Sequence, residues 1–518
     1  MVEEIEILVE RRRERADRDI RRWFTLAVLC VGSATAFVNV SSTITGLARI
    51  QDELHASPTE TVWITSIYSL VVASLILAAG TLADLMGRSV VFMAGALLFT
   101  GGSVVAFTAN DTAVLIVGQA IIGIGGAAIL PSSLAVLAHT FADPRERTEA
   151  VSIWAGSSGL GLAVGPIVAG VLLEHYSWHS IFLANIALGV VAFLGGILVV
   201  PTSHQPGRRL DPGGVILGTL AVSSLAFAII EGKTLGYLST EIVCCYAVFV
   251  ASLAVFIRYE ARHHDPMIDV TLFRSGSFTM VMAVAATAMF GFTGTSLLVV
   301  LYCQHVQGTT PLGAGLRALA MFVPFIIVSA LAGRLAHRVG FKIMLTGGLI
   351  VMAAGISALR LIEAGPDSAR LWPGLVIVGL GAGMLVAPST AAAVISVHRS
   401  QAGMASATIN MFRQLGNVLG ASVTGTILTA KFGSGLGDRL TAHHLPQQTV
   451  TSVVDAAQRG SHSAHLPAEL ASLVGDSVRK AFTDASHLSA LVIAIIVAVV
   501  AIPAVLFIRH RPTEPDAD

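Results

Sequence analysis

Few side chains in this sequence could do chemistry, and they stand far apart. The densest group is Gly80-Thr81-Leu82-Ala83-Asp84-Leu85-Met86-Gly87-Arg88, an acid and a base in a short loop between two long apolar runs. An Asp and an Arg at that spacing can pair with each other. The carboxylate can also meet a helix N-terminus, a contact worth about 0.3–1 kcal/mol. No spaced nucleophile–base pair and no metal-ligand set accompanies it, so an enzyme, a catalytic residue, a metal and a cofactor are not expected.

A second copy of the loop, Gly333-Arg334-Leu335-Ala336-His337-Arg338-Val339-Gly340, keeps the G-x-L-A-x-x-x-G frame. His337 stands where the first copy has its acid, so the charges change while the frame is kept. Two copies imply a duplicated helical unit, a mark of many transporter folds.

Arg413, in Asn410-Met411-Phe412-Arg413-Gln414, is the notable charge inside an apolar stretch. An intramembrane charge is a functional candidate by default, and reaching headgroups or helix carbonyls is the structural alternative. Arg413 and Asn410 are therefore cavity candidates, together with Phe37, Tyr68 and Gln304. Phe290, Phe292, Met321 and Phe325 could line the same cavity or simply pack in the core. Trp63 and Tyr68 fit either a cavity wall or an interfacial aromatic belt. No Asp or Glu lies well inside the first six apolar runs, and Glu149, Glu174 and Glu231 sit near helix ends, where they can reach water. A lining of Asn, Gln, Thr and Phe suits amphiphilic or apolar cargo. Sugars would need more hydroxyl and amide partners, and a dianion would need paired bases.

The elements that position these residues are membrane spans. The chain is 54% hydrophobic and 12% charged over 518 residues, too apolar for a soluble protein of that length. Crossing the hydrocarbon core takes about 20 apolar residues. Runs of that length predict spans at 23–46, 60–82, 89–108, 113–138, 149–173 and 180–201, then 213–232 and 240–258. A further set falls at 277–303, 313–336, 341–362, 371–395, 403–430 and 488–508. The reading is an all-α integral membrane protein of about fourteen spans, arranged six, two and six. Residues 1–22 form a charged cytosolic arm, 23–201 the first bundle, 202–258 a linker with two extra spans, and 259–430 five spans of the second bundle. Residues 431–487 read as an extracellular segment whose helical stretches, such as 466–484, could cap the outer mouth, and 488–518 as the last span and tail.

With the N-terminus inside, cytoplasmic loops hold roughly twice the Lys and Arg of the outer ones, so both ends and both loop motifs face the cytosol. Cys30, Cys244, Cys245 and Cys303 all lie in apolar runs and read as small core residues. His443, His444, His462 and His465 lack ligand spacing and read as solvated loop. Nothing in the charge pattern points to nucleic acid; the expected surroundings are a plasma-membrane bilayer.

Two glycine stripes complete the pattern. Gly161, Gly165, Pro166 and Gly170 mark one face of the fifth span, and Gly416, Gly420 and Gly425 repeat the spacing on the thirteenth. Small residues let helix backbones approach closely, and a proline bends the helix.

From residue 23 to 508 the chain resembles the major facilitator superfamily, in the fourteen-span branch that holds drug/proton antiporters. The loop motif, the Pro166 stripe and the fourth-span run Gly118-Gln119-Ala120 through Pro131 carry the resemblance, with Gln304 and the Arg413-Gln414-Leu415-Gly416 run at family positions. It implies two six-helix bundles related by a pseudo-twofold axis along the membrane normal, a monomer, and export by alternating access. It implies that Asp84 latches onto the start of the thirteenth span near residues 401–403, and that Gly80, Gly87 and Arg88 serve the same latch. It departs from the family at one pair. The antiporters' embedded acid falls at Asn39, and their fourth-span Arg at Gln119. Losing both charges is physically coherent, whereas losing one would strand the other. Protons as coupling partner are thereby put in question, while Asn39 and Gln119 remain cavity candidates.

The resulting function is export of hydrophobic or amphiphilic drugs or metabolites. The rivals are movement of a lipid or self-made metabolite, and a transport-inactive membrane scaffold or sensor.

Overall fold

The computed structural model describes residues 2–508, apart from residue 142 and the segments 202–210, 264–265, 267, 366–369, 398–401 and 459–467. Helix starts are written in the sequence. Ser57 accepts from the Glu60 backbone N–H while its own N–H donates to the Glu60 carboxylate, with Pro58 in the first turn. That capping box satisfies donors a helix end leaves orphaned. Asp111, Asp211, Ser239, Ser275 and Thr310 likewise accept backbone N–H groups at later starts.

The first bundle holds α1 (Val2–Glu53), α2 (Pro58–Met86), α3 (Arg88–Phe107), α4 (Thr112–Thr140), α5 (Pro144–His175) and α6 (Ile181–Val199). Two inserted helices follow, α7 (Pro212–Leu235) and α8 (Thr240–Glu260). The second bundle is α9 (Gly276–His305), α10 (Pro311–Val339), α11 (Phe341–Ala358), α12 (Leu371–Ile395), α13 (Ala402–Ala442) and α15 (Ala468–Phe507), with the short α14 (Gln447–Gln458) between the last two. Among the described residues there is no strand.

The bundles repeat each other's packing. In the first, α1 lies on α5 and α6, α4 on α2 and α3, and α3 on α6; in the second, α9 lies on α13 and α15, α12 on α10 and α11, and α11 on α15. The turn ending each loop motif is repeated too. Gly87 has φ 107° and Gly340 φ 98°, a region costly for any residue with a Cβ. The seam between bundles runs along α2–α13 and α5–α10.

The glycine stripes build these contacts in the same way twice. A Cβ at Gly161 or Gly165 would strike α1, at Ala34 O and Ser41 Oγ, and one at Gly170 would strike Leu312 of α10 across the seam. On α13, Gly416 and Gly420 meet the carbonyls of Ala286 and Phe290 on α9, while Gly425 meets Val62 of α2 across the seam. Gly416→Val should therefore lower stability by about 1–3 kcal/mol, because a backbone carbonyl cannot swing away as a side chain can. Gly156→Ala, where a Cβ meets nothing within 4 Å, should be silent in the same thermal-unfolding assay.

Thirteen helices among the described residues are long and apolar enough to cross a membrane. The span expected at 403–430 lies in α13, which is long enough but more polar: Gln414, Asn417, Ser422 and Thr424 are buried there. A helix enclosed by α2, α9 and α15 can carry such residues because its neighbours, not lipid, receive them. The inserted helix α7 leans on α2 and α13, closing over Leu70, Ala226 and Val418, and α8 packs on α7. Of the cysteines, Cys303 is buried, but Cys244 is exposed on α8, so it is a surface residue of that span and not core.

The region 431–487 differs from expectation. Helix α13 runs on to Ala442 and α15 already starts at Ala468, so two helices continue past the apolar band as a paired stalk. Phe432 against Phe482, buried Leu436 and Leu440, and an Arg439–Asp484 pair at 2.6 Å hold them together. The expected cap at 466–484 is thus largely the root of α15, and α14 is the piece that folds over, through buried Val450 and Val453. His462 and His465 lie outside the described residues.

Candidate transport site

Three buried amides meet inside the first bundle. Asn39 Nδ2 donates to Gln119 Oε1 at 3.0 Å, Asn185 Nδ2 donates to Asn39 Oδ1 at 2.7 Å, and Gln119 Nε2 donates to Thr43 Oγ1 at 2.9 Å. Helices α1, α4 and α6 each contribute. The two residues paired by the resemblance are in direct contact, and neither can titrate. They are, however, sealed: Asn39 and Gln119 are each 1% exposed. Their placement as cavity-lining residues is therefore corrected; they fasten three helices behind the cavity wall.

The wall itself lies at the seam. A central pocket of about 20 Å³ is bounded by Phe37 and Tyr68 of the first bundle and by Phe292, Thr293, Gln414 and Asn417 of the second. That is room for little more than one water. Thr293 Oγ1 donates to Asn417 Oδ1 at 2.7 Å, and Asn417 Nδ2 donates to Gln414 Oε1 at 2.6 Å. No carboxylate, Lys, Arg or His lines the pocket. Of the remaining candidate liners, Phe292 joins Phe37 there, whereas Phe290, Met321 and Phe325 are buried core, with the Phe325 ring 4.9 Å from that of Phe292 and tilted to it.

Tyr68 is buried with no partner for its hydroxyl, which points at Gly126 of α4. Tyr68→Phe should leave stability unchanged or raise it by up to about 1 kcal/mol, since the oxygen removed has no bond to lose. A thermal midpoint that falls markedly would contradict this placement. A fall in transport alone would mark the hydroxyl as a cargo contact.

Arg413 does not face the pocket. Its guanidinium reaches α12, donating to Ser389 Oγ at 3.2 Å, Thr390 Oγ1 at 2.6 Å and the Val386 carbonyl, with Asn410 Oδ1 at 3.5 Å. Asn410 itself donates to Ser406 O at 3.0 Å. Arg413 thus ties α13 to α12, while both contacts of Asn410 stay within α13, and neither residue lines the seam pocket. Trp63 donates to Glu231 at 2.7 Å and so fixes α7 to α2.

Asp84 and Arg88 pair within their own loop. Arg88 Nε and Nη2 reach Asp84 Oδ1 at 3.2 and 3.1 Å, and Nη1 donates to Ala135 O of α4 at 3.2 Å. Of the expected partner of Asp84 at 401–403, residue 401 lies outside the described residues, as do the side chains of Ala402 and His337. Gly80 is not a close contact; a Cβ there would come only to 3.7 Å of Pro131.

Bonds joining the bundles gather toward the face opposite the N-terminus. Gln304 Nε2 donates to Thr45 O at 2.9 Å, Thr310 Oγ1 to Glu174 Oε1 at 3.2 Å, Gln51 Nε2 to Gln458 O at 2.6 Å, and Ser66 and Ser422 bond at 3.2 Å. Gln304 therefore closes the seam above the central pocket. Above it, a second cavity of about 510 Å³ opens among α1, α2, α9, α13, α14 and α15. Asn185, Thr293 and Asn417 were not singled out from sequence, although a lone amide in an apolar span is itself a signal.

Two helical bundles that repeat one packing plan, with a pocket on the seam between them and matching glycine-bounded loops, define a membrane transporter. The chain belongs to the Major Facilitator Superfamily, whose sequence profile matches residues 29–421. It is 32% identical over 417 residues to the multidrug resistance protein Stp of Mycobacterium tuberculosis, covering 80% of this chain and 78% of the relative. It is 31% identical over 497 residues to the multidrug efflux pump LfrA of Mycolicibacterium smegmatis, covering 94% and 97%. The tetracenomycin C resistance and export protein of Streptomyces glaucescens is 28% identical over 507 residues, 96% of this chain and 93% of that one. Among solved structures, a bacterial homolog of the human lysosomal transporter Spinster, inward-facing and occupied, matches with TM-score 0.64 at 14% identity, over 94% of this chain and 96% of that chain. At that identity the likeness is one of fold.

Proposed function

We propose that this transporter exports apolar or amphiphilic compounds, drugs or metabolites, across the plasma membrane by alternating access of its two bundles. The observation that carries the reading is the seam pocket between Phe37, Tyr68, Phe292, Thr293, Gln414 and Asn417, whose lining offers amides, a hydroxyl and rings but no charge. Such a wall suits uncharged, largely apolar cargo. The drug-efflux and export names of the relatives support the same reading.

Arg258, Arg262, Arg274, Arg338 and Lys342 lie at or between helix ends on the N-terminal face, and this excess of basic residues supports the reading that this face and both termini are cytosolic. Asp84 and Arg88, with the Gly87 turn, hold the cytosolic side shut in the outward-facing state; Gly161 and Gly165 fasten α5 to α1 within its bundle, and Pro166 and Gly170 bear on α10 where the bundles rock against each other. One chain carries both bundles and works as a monomer.

The amide cluster around Asn39 favours a second reading, facilitated movement of a lipid or self-made metabolite, because the usual proton-handling position is neutral. Purified protein in liposomes with an imposed proton gradient separates the two. Gradient-driven accumulation of a fluorescent amphiphile supports the exporter, with its proton carried elsewhere than Asn39 and Gln119. Uptake that only equilibrates, with or without the gradient, supports the facilitator. No protein-dependent flux of any amphiphile or lipid would overturn both.

A further inference from the structure

We propose that the cavity of about 510 Å³ beneath α14 is a second, exit-side binding site for neutral or anionic amphiphiles, distinct from the seam pocket. The proposal rests on the exporter reading, because its ligand is the transporter's own cargo.

Size is the first argument. Drug-sized ligands occupy cavities of about 300–1,000 Å³, and this one falls within that range while the seam pocket at about 20 Å³ does not. Position is the second. The floor is Gln304, held to Thr45 O, so the cavity lies directly outward of the closure above the seam pocket. Its roof is the end of α14, with Val453, Ala457 and Gln458 facing in.

Gln458 fastens that roof to both bundles. Its carbonyl accepts from Gln51 of α1 at 2.6 Å, and its Nε2 donates to Thr429 O of α13 at 3.3 Å. Opening the outer side of the seam must break one of these bonds, so the roof moves with the transport cycle.

The lining chemistry selects the ligand class. Leu47, Val62, Leu297, Leu428, Phe432 and Phe482 supply apolar surface for a ring system. Thr61, Thr65, Gln51 and Gln304 offer neutral polar groups. Among the described residues, the charged or chargeable groups on the wall are His305 and Arg479, and no carboxylate lines it. Arg479 is held by Asp476 on the same helix, so its charge is softened but still set at the wall. A cation would find apolar rings and a guanidinium whose paired carboxylate, Asp476, is not on the wall, whereas an uncharged molecule or a carboxylate-bearing one would not be repelled.

The test uses the full chain in lipid nanodiscs, irradiated with a neutral benzophenone amphiphile of drug size, with labelled peptides mapped by mass spectrometry. Labels competed away by excess unlabelled probe should fall on residues 61–65, 425–432 and 471–482. An anionic analogue should compete at least fivefold better than a cationic analogue of the same ring system. Val478→Trp, which adds bulk at a half-buried wall position, should cut vestibule labelling at least tenfold. Competable labels confined to residues 36–40 and 289–293, or no competable label, would overturn the site on the wild-type protein alone. A cationic analogue that competes best would overturn the ligand class. Cellular efflux reads the underlying function separately. Efflux without vestibule labelling removes this site and leaves the exporter, and vestibule labelling without efflux of any compound does the reverse.

Discussion

Asn39→Asp should lower stability at neutral pH by about 3–5 kcal/mol, the usual cost of a buried charge left without its partner. The reason lies in the amide cluster. Asn39 donates to Gln119 and accepts from Asn185, and all three side chains are sealed among α1, α4 and α6. A carboxylate at 39 keeps the acceptor toward Asn185 but loses the donor toward Gln119 Oε1. No cation stands in the cluster to offset its charge. The double variant Asn39→Asp/Gln119→Arg supplies one and should recover at least half of the loss. A double-mutant cycle on thermal unfolding should therefore show a coupling of about 2 kcal/mol or more between the two positions. Penalties that simply add would mean that the side chains do not act as a pair, and the account of Asn39 and Gln119 as a neutralised ion pair would fall.

The second large effect is on transport. Asp84→Asn should reduce flux at least tenfold while leaving the amount of protein in the membrane unchanged. Asn keeps an oxygen for Arg88, and Arg88 keeps its bond to Ala135 O, so the loop can hold its shape. What is lost is the full negative charge that a helix N-terminus of the other bundle would attract, so the cytosolic closure weakens. Asp84→Glu, which retains the charge at a longer reach, should sit between the two. The wild-type rate in Asp84→Asn would show that the loop is not a gate. It would also favour the scaffold reading, in which a gate has no task.

Much of this architecture could be read along the chain, because it rests on residue types with one physical meaning. Two copies of the G-x-L-A-x-x-x-G loop implied a duplicated helical unit, and Gly87 and Gly340 end them in the same positive-φ turn. The matched spacings of Gly161, Gly165 and Gly170 with Gly416, Gly420 and Gly425 implied one contact plan used twice, and the two stripes meet equivalent helices. Span prediction failed where helices stop facing lipid. The end of α13 and the start of α15 are polar enough to resemble a loop, yet they pair with each other and stay helical.

The site was less legible than the fold. Asn39 meets Gln119 and Asn185 at sequence separations of 80 and 146 residues, so which amides converge is a tertiary fact. Phe37 and Tyr68 line the seam pocket, whereas Arg413 turns toward α12 and Asn410 bonds within α13. Hydropathy marks a polar residue as exceptional within a span but does not say which side of the helix it occupies. That is why Arg413 drew attention and Asn417 did not.

The most direct test of the central claim is accumulation in cells. A panel of apolar and amphiphilic compounds is measured in cells expressing the wild-type chain, Asp84→Asn, or an empty vector, at matched membrane protein levels. The account predicts that accumulation of at least one compound falls several-fold with the wild-type chain and returns to the vector level with Asp84→Asn. Accumulation identical in all three, across the whole panel, would contradict it.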